Sequence, residues 1–367
     1  MKLNKFFMLG LAGLAFAACS NDDEPSVMES SKEKSVEVSI ANATYGTPGT
    51  RKEATDGFSK GDIAVADAAN LKFLLLAGER IQAVKTTKDA TTKQGAKGNI
   101  YTFHNVDVSV NGLAIIGNTN VTINANSNYN DVLNSIKKEA NLTSQQGALN
   151  NIVVFGKNTQ WKKKEADDQG HTDAVYSAGE ITVNPLLARL EVGEIGCKNL
   201  GDQATEGAIP LYKELTLEKI GLDNIKTDFS QTNLLAYSDD DAGEKLWTAA
   251  TTWVDNLTDV LTNAQKNAAG TYAYNVVPGT TPRIILEIAS YKANDNVEDP
   301  NAKFPWYVRA NQYTGLNGTF EAGKIYQVKF QFNCDNIKPW HPVQPICVEV
   351  EVVIPNWTIV ELTPEFQ

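Results

Sequence analysis

Apolar residues along this chain recur mostly in short stretches with a period of two, divided by clusters of Gly, Asn, Asp and Pro, a pattern that predicts antiparallel strands. In the first half the predicted strands are Val36 to Ala41, Leu71 to Ala77, Ile100 to His104, Val106 to Val110, Leu113 to Gly117, Ile152 to Phe155 and Glu180 to Val183. In the second half they are Ala188 to Ile195, Leu215 to Leu222, Thr271 to Val277, Arg283 to Ala289, Trp306 to Arg309, Ile325 to Phe332, Ile346 to Ile354 and Thr358 to Leu362. Two stretches carry a helical stripe instead. Val132, Leu133, Ile136 and Ala140 share a face over Asp131 to Ala140, and Val254, Leu257, Val260 and Leu261 share one over Thr252 to Gln265. The expected class is therefore all-β with minor helical insertions, with strands enough for two sandwiches. Asn184-Pro185, a turn signal between strands, predicts a boundary near 184–187.

The N-terminus follows a different rule. Lys2 and Lys5 precede an apolar run from Phe6 to Phe16, and small residues lead into Cys19, the layout of a signal peptide over residues 1–18 ending at a lipidated cysteine. Cleavage at the small-x-small site Ala15-Phe16-Ala17 is the alternative, and the run is too short to span a membrane. The acidic Ser20 to Glu24 that follows reads either as a solvated linker or as the tag of a surface-exported lipoprotein.

Composition narrows the functional classes. The chain has 367 residues, 42% of them apolar, which suits globular β-rich domains and excludes a disordered protein. A net charge of −11 argues against nucleic acid as a partner, because that role needs clustered Lys and Arg. The one basic run, Trp161 to Lys164, meets Glu165, Asp167 and Asp168 at once and reads as a hairpin tip. Besides Cys19 there are Cys197, Cys334 and Cys347. At most one bridge can form among these three, with Cys334 and Cys347, which flank a Pro-rich turn, the expected pair and three buried thiols the alternative. His104, His171 and His341 stand apart from any metal-ligand spacing, and neither Asp239 to Asp241 nor Asn294 to Asp299 has the spacing of a calcium loop. No nucleophile elbow, zinc helix, phosphate loop or dinucleotide fingerprint is present in the sequence, so no cofactor, no metal and no catalytic residue is expected.

Several segments together resemble the fimbrillin family of Bacteroidales, the major and minor fimbrial shaft subunits. They are the lipoprotein start, Leu187 to Val192, Tyr274 to Pro278 with Arg283 to Leu286, Gly323 to Val328, and the ending Val350 to Phe366 with Pro355-Asn356-Trp357. The resemblance spans essentially the whole chain. It implies two transthyretin-like antiparallel β-sandwich domains, over 52–185 and 186–367, export as a palmitate-bearing lipoprotein through Cys19 to the outer membrane, and removal of a propeptide over 19–51. An arginine-specific surface protease would cut after Arg51, ahead of Lys52, in the turn-rich Gly46 to Lys52; Lys34 and Lys52 are the alternatives for a trypsin-like protease. The strand removed would carry Val36, Val38 and Ile40.

The residues themselves give that strand exchange a physical basis. Val36 to Ile40 and Val348 to Val352 both alternate apolar and polar positions, so the two segments can present the same face. A sandwich deprived of its first strand exposes an apolar groove and unpaired backbone groups, which another chain's strand can fill. The donor region would cover about 346–367, with Val348, Val350 and Val352 before the break at Pro355 and Trp357, Ile359 and Leu362 after it. The alternative is a last hairpin packed on its own domain. The function expected is a fimbrial pilin supporting adhesion, with copies of itself and accessory subunits as partners and an extracellular fimbrium as its final location. The rivals are a tip or accessory adhesin, a lipid-anchored anchor subunit, and a surface lipoprotein that binds or degrades glycans.

Overall fold

A computed structural model of the chain describes residues 33–41, 52–53, 70–95, 98–140, 152–164, 174–201, 210–230, 234, 253–262, 271–294, 305–313, 316, 318–334, 337 and 343–348. In chain order the first strands are β1 (Glu33–Ala41), β2 (Lys52–Glu53), β3 (Lys72–Ala77), β4 (Arg80–Lys85), β5 (Thr91–Gly95), β6 (Gly98–Asp107) and β7 (Gly112–Gly117). After helix α1 (Tyr129–Glu139) come β8 (Val154–Asn158), β9 (Lys162–Lys163), β10 (Val175–Thr182), β11 (Asn184–Pro185), β12 (Ala188–Lys198) and β13 (Tyr212–Asp223). The last are β14 (Val254–Leu261), β15 (Thr271–Val276), β16 (Arg283–Ala293), β17 (Trp306–Tyr313), β18 (Ile325–Asn333) and β19 (Val343–Val348).

These strands form four sheets, in the orders β5-β6-β1-β10-β9, β11-β8-β7-β3-β4, β18-β12-β15-β2 and β14-β13-β16-β17-β19. Strands before residue 186 build the first two sheets and those from 188 onward the other two, with one exception. Lys52 and Glu53 of β2 pair with Tyr272 and Thr271 of β15 in the third sheet, although the expected N-terminal domain begins at Lys52. Among the described residues the architecture is all-β with one α-helix.

Each pair of sheets closes over side chains that alternate inward. Phe73 of the second sheet meets Tyr101 and Phe103 of the first at ring distances of 5.3 and 5.0 Å. The Tyr274 hydroxyl of the third sheet donates to the Ile220 carbonyl of the fourth at 3.5 Å. β3 and β7 read as unbroken apolar runs because both their faces are covered. Phe73, Leu75, Leu113 and Ile115 point toward the first sheet, while Leu74, Leu76, Ala114 and Ile116 pack with Tyr129, Val132 and Ile136 of α1. That helix starts where Asn128 caps it by accepting from the Asn130 amide at 2.8 Å, and it ends on Lys137 and Lys138, which suit the dipole.

The second predicted helix is a strand. Leu257 and Leu261 are buried in β14, paired with β13, and a separation of four residues puts two side chains on one face in either conformation. The β-branched Val254, Thr258 and Val260 tip the balance to the strand. The predicted strands over Ile100 to Val110 are one strand, β6, interrupted at Asn105, whose φ of 54° is the left-handed value that Asn tolerates. The basic run after Trp161 forms β9, an edge strand paired with Tyr176 and Ser177 of β10.

Charged groups inside the second pair of sheets are partnered. Asp223, fully buried, accepts from Arg283 at 2.9 and 3.0 Å and from Arg309 at 3.3 Å, and Arg189 donates to Glu191 at 2.6 Å. The cysteine pairing differs from the expected one. Cys197, at the end of β12, is bonded to Cys334, just past β18, with a Cα separation of 5.7 Å, so Cys334 is not available to Cys347. The cause is topological, since β12 and β18 run parallel with Cys197 opposite Phe332, whereas Cys347 lies in β19 opposite Gln312 of β17. Non-reducing peptide mapping should return Cys197 linked to Cys334, and Cys334→Ser should cost about 2 to 5 kcal/mol in a denaturant melt. A Cys334–Cys347 peptide would overturn this assignment.

Candidate functional site

The site of interest is the slot in the first sheet that β1 occupies. β1 is the middle strand, antiparallel to β6 on one side and parallel to β10 on the other, although both neighbours come later in the chain. Val36 lies opposite Phe103 and Tyr176, and Val38 opposite Tyr101. The alternation in Val36-Glu37-Val38 explains why this segment fits. Val36 and Val38 are 0% and 1% exposed, whereas Glu37 faces outward and forms an ion pair with Lys164 beside β9. Ile40 packs at the margin of the same core. The two valines buried in this way contribute on the order of 3 to 6 kcal/mol before entropy is counted.

Polar groups fix the strand's first residues. The Ser35 amide donates to the Ala174 carbonyl at 3.1 Å, and the Ser35 hydroxyl lies 2.9 Å from Nδ1 of His104. Nε2 of the same ring is 3.3 Å from the Thr91 hydroxyl, so His104 links β1, β6 and β5. Ser35 is 2% exposed and has no open face for a substrate, which makes this Ser–His contact a tie between strands. Lys34 turns its ammonium inward. It donates to the carbonyls of Val108, at 3.1 Å, and Val110, and lies 5.1 Å from the ring centre of Trp161 and 4.8 Å from that of Tyr176. Burial pushes the Lys34 ammonium below the usual lysine range, with Asp107 opposing that shift. The Asp107 carboxyl is itself held low by hydrogen bonds from Ser109, whose amide donates at 2.8 Å.

The slot closes against the second sheet near the end of β10. Gly156 of β8 lies so near the Thr182 carbonyl that a Cβ there would overlap it, which is why this position is a glycine.

Of the residues singled out from the sequence, Val36, Val38 and Ile40 are brought together in the slot. Lys34, open to a protease in an extended tail, is instead a buried strand residue paired with Val106. Lys52 opens β2, so Arg51 stands between β1 in the first sheet and β2 in the third. Val348 is the last residue of β19, opposite Tyr313 in its own chain. Cys19, Arg51, Val350, Val352, Trp357, Ile359 and Leu362 lie outside the described residues. Among the described residues no group of His, Cys, Asp and Glu is arranged to hold a metal ion, and no helix is long and apolar enough to cross a membrane. The sequence reading missed Lys164 and the Trp161–Tyr176 pair around Lys34. Their only signal was an aromatic residue ahead of a basic run.

No family model matches the chain, and no curated protein matches it. Among solved structures it is similar to a presumed cell adhesion protein from Parabacteroides distasonis, at 12% identity and a TM-score of 0.47, covering 92% of this chain and 98% of that one. A presumed cell adhesion protein from Bacteroides eggerthii matches at 13% identity and a TM-score of 0.47, over 90% of this chain and 96% of that one. A fimbrilin from Porphyromonas gingivalis matches at 13% identity and a TM-score of 0.43, over 88% of this chain and 98% of that one.

A charge placed in the slot tests its geometry. Val38→Asp would bury an unpaired carboxylate and should cost at least about 3 kcal/mol, read as a lower Tm with loss of amide protection in β6 and β10. An unchanged melt would mean that Val38 does not lie inside the sheet.

Proposed function

We propose that this chain is the structural subunit of a cell-surface fimbrium, a pilin that supports adhesion and has no catalytic role. It is exported as a lipoprotein on Cys19, loses β1 when an arginine-specific protease cuts after Arg51, and is joined to its neighbour by a strand that fills the vacant slot. The observation that supports this most is the position of β1, the middle strand of its sheet, which is linked to the strands that follow it through residues 42–51. On this reading residues 52–185 and 186–367 are two sandwich domains, with β2 a strap from the first to the third sheet.

The donor is the tail of another copy. Val350-Glu351-Val352-Val353-Ile354 repeats the order of Val36-Glu37-Val38-Ser39-Ile40, and Pro355 falls where β1 ends at Ala41. In that register Val350, Val352 and Ile354 take the inward places, and Glu351 takes the place of Glu37 before Lys164. Val348, the last residue of β19, then falls at the place of Lys34, so the donor leaves β19 there.

Two experiments test this reading. Arg51→Ala should leave a monomeric precursor that still takes up a labelled fatty acid through Cys19, as read by gel filtration and labelling of cells; normal polymer from that variant would show that cleavage occurs elsewhere or is not needed. Deleting residues 356–367 should give a cooperatively melting subunit that no longer polymerises. An unfolded product would instead make this segment part of the chain's own core, since losing two or three buried side chains at about 2 to 5 kcal/mol each exceeds most of a domain's stability.

A further inference from the structure

We propose that the slot holding β1 ends in a cation pocket, built by the ring faces of Trp161 and Tyr176 and the carbonyls of Val108 and Val110, which selects strands bearing a lysine or arginine at the place of Lys34. This inference deepens the strand-exchange reading and rests on it. Lys34 is 7% exposed, and its ammonium lies within 5.1 Å of both ring centres, a distance at which the ring faces attract a cation. The two carbonyls accept hydrogen bonds from it, so two kinds of group converge on one charge, two aromatic faces and two backbone dipoles, reached by a lysine stem that passes between strands. An apolar side chain in that place would leave both carbonyls without this donor and both rings without their cation.

The pocket divides the possible occupants of the slot. β1 offers Lys34, two residues ahead of Val36 and four ahead of Val38. Residues 343–367 contain no lysine or arginine, and with Val350 placed over Val36 the residue at the pocket is Val348. A tail of this chain therefore satisfies the apolar part of the slot and the outward position before Lys164, and leaves the cation pocket without its ligand. β1 is the preferred occupant. The pocket acts as a lock that keeps the resident strand in place until its link to the rest of the chain is cut, and it favours a neighbour whose donor strand reads Lys or Arg, then alternate apolar residues.

Hydrogen exchange on the intact, full-length chain tests the lock without requiring assembly. Opening of β1, followed at the amides of Val36 and Val38, should rise about tenfold in Lys34→Met and remain within about twofold of the parent in Lys34→Arg. Methionine keeps the apolar stem, so a role in packing alone predicts protection equal to or better than that of lysine, and that result would overturn the proposal. Trp161→Leu should shrink the gap between Lys34 and Lys34→Met to less than about threefold; a gap that persists in full would also overturn it. Selectivity is read by peptide competition in the protein cut after Arg51. A peptide of residues 346–362 carrying Val348→Lys should displace a labelled 33–41 peptide at about one-tenth the concentration needed by the unaltered peptide. Equal potency of the two overturns the pocket's selectivity and leaves strand exchange standing. If neither tail peptide enters while the 33–41 peptide does, exchange with the tail fails, and the hydrogen-exchange result alone then decides the pocket.

Discussion

The first sheet depends on the chain's first strand, β1, inserted between two strands that come later. With β1 present it has five strands; without it the remainder is two separate pairs, β5 with β6 and β9 with β10. Two-stranded ribbons are marginal in water, and here each would also present an unpaired edge and half of an apolar floor built by Phe73, Tyr101 and Phe103. Losing an edge strand trims a sheet, whereas losing this one splits it. The slot therefore cannot stay empty at low cost, and whatever fills it must supply both backbone ladders as well as inward side chains.

The other pair of sheets is organised around buried charge. Asp223 lies between Arg283 and Arg309, Arg189 lies beside Glu191, and the buried Glu287 accepts from Lys219. Pairs of this kind add little net stability, because desolvation offsets most of the attraction, but removing one partner strands the other in a medium of low polarity. They fix which strand faces which. The disulfide between Cys197 and Cys334 acts at the same place, joining the ends of the parallel strands β12 and β18 across 137 residues of sequence. β19 lies outside that framework, at the edge of the fourth sheet beside β17.

Strands buried on at least one face were legible in the sequence, because burial imposes a period that composition cannot hide. β1, β3, β7, β12, β13, β15, β16, β17 and β18 all overlap predicted stretches. β4 and β5 were not legible: all but Ile81 of Arg80 to Gln94 is at least partly exposed, so no apolar period marks them. β2, β9 and β11 have two residues each, too few to show any period. The stretch around Leu257 was misread because a spacing of four satisfies both periods. In the slot, Val36, Val38 and Ile40 were legible for the same reason that they are buried. Lys34 was not, since a lysine at a strand's start reads as solvated, and residues far along the chain, Val108, Val110, Trp161 and Tyr176, make that position a buried one. The cysteine pairing is not legible in spacing, because the parallel pair β12 and β18 brings together two cysteines 137 residues apart.

On the proposed reading, the order of events follows from tethering as much as from contact energies. While residues 42–51 join β1 to the body of the chain, a β1 that opens returns from an effective concentration of about millimolar or more, far above any free tail. An incoming tail with equal contacts then loses, and one that leaves the Lys34 pocket without a cation loses by a wider margin. Cutting after Arg51 removes the tether but not the contacts, so release of β1 becomes a matter of its intrinsic hold on the slot, to which Lys34 contributes. A donor tail carried by a neighbouring subunit has the reverse arrangement: its contacts are fewer, but once β19 is seated its tail is held at the slot by everything else the two subunits bury. The exchange therefore requires proteolysis first and docking second, and a subunit with an intact link stays monomeric even when donors are abundant.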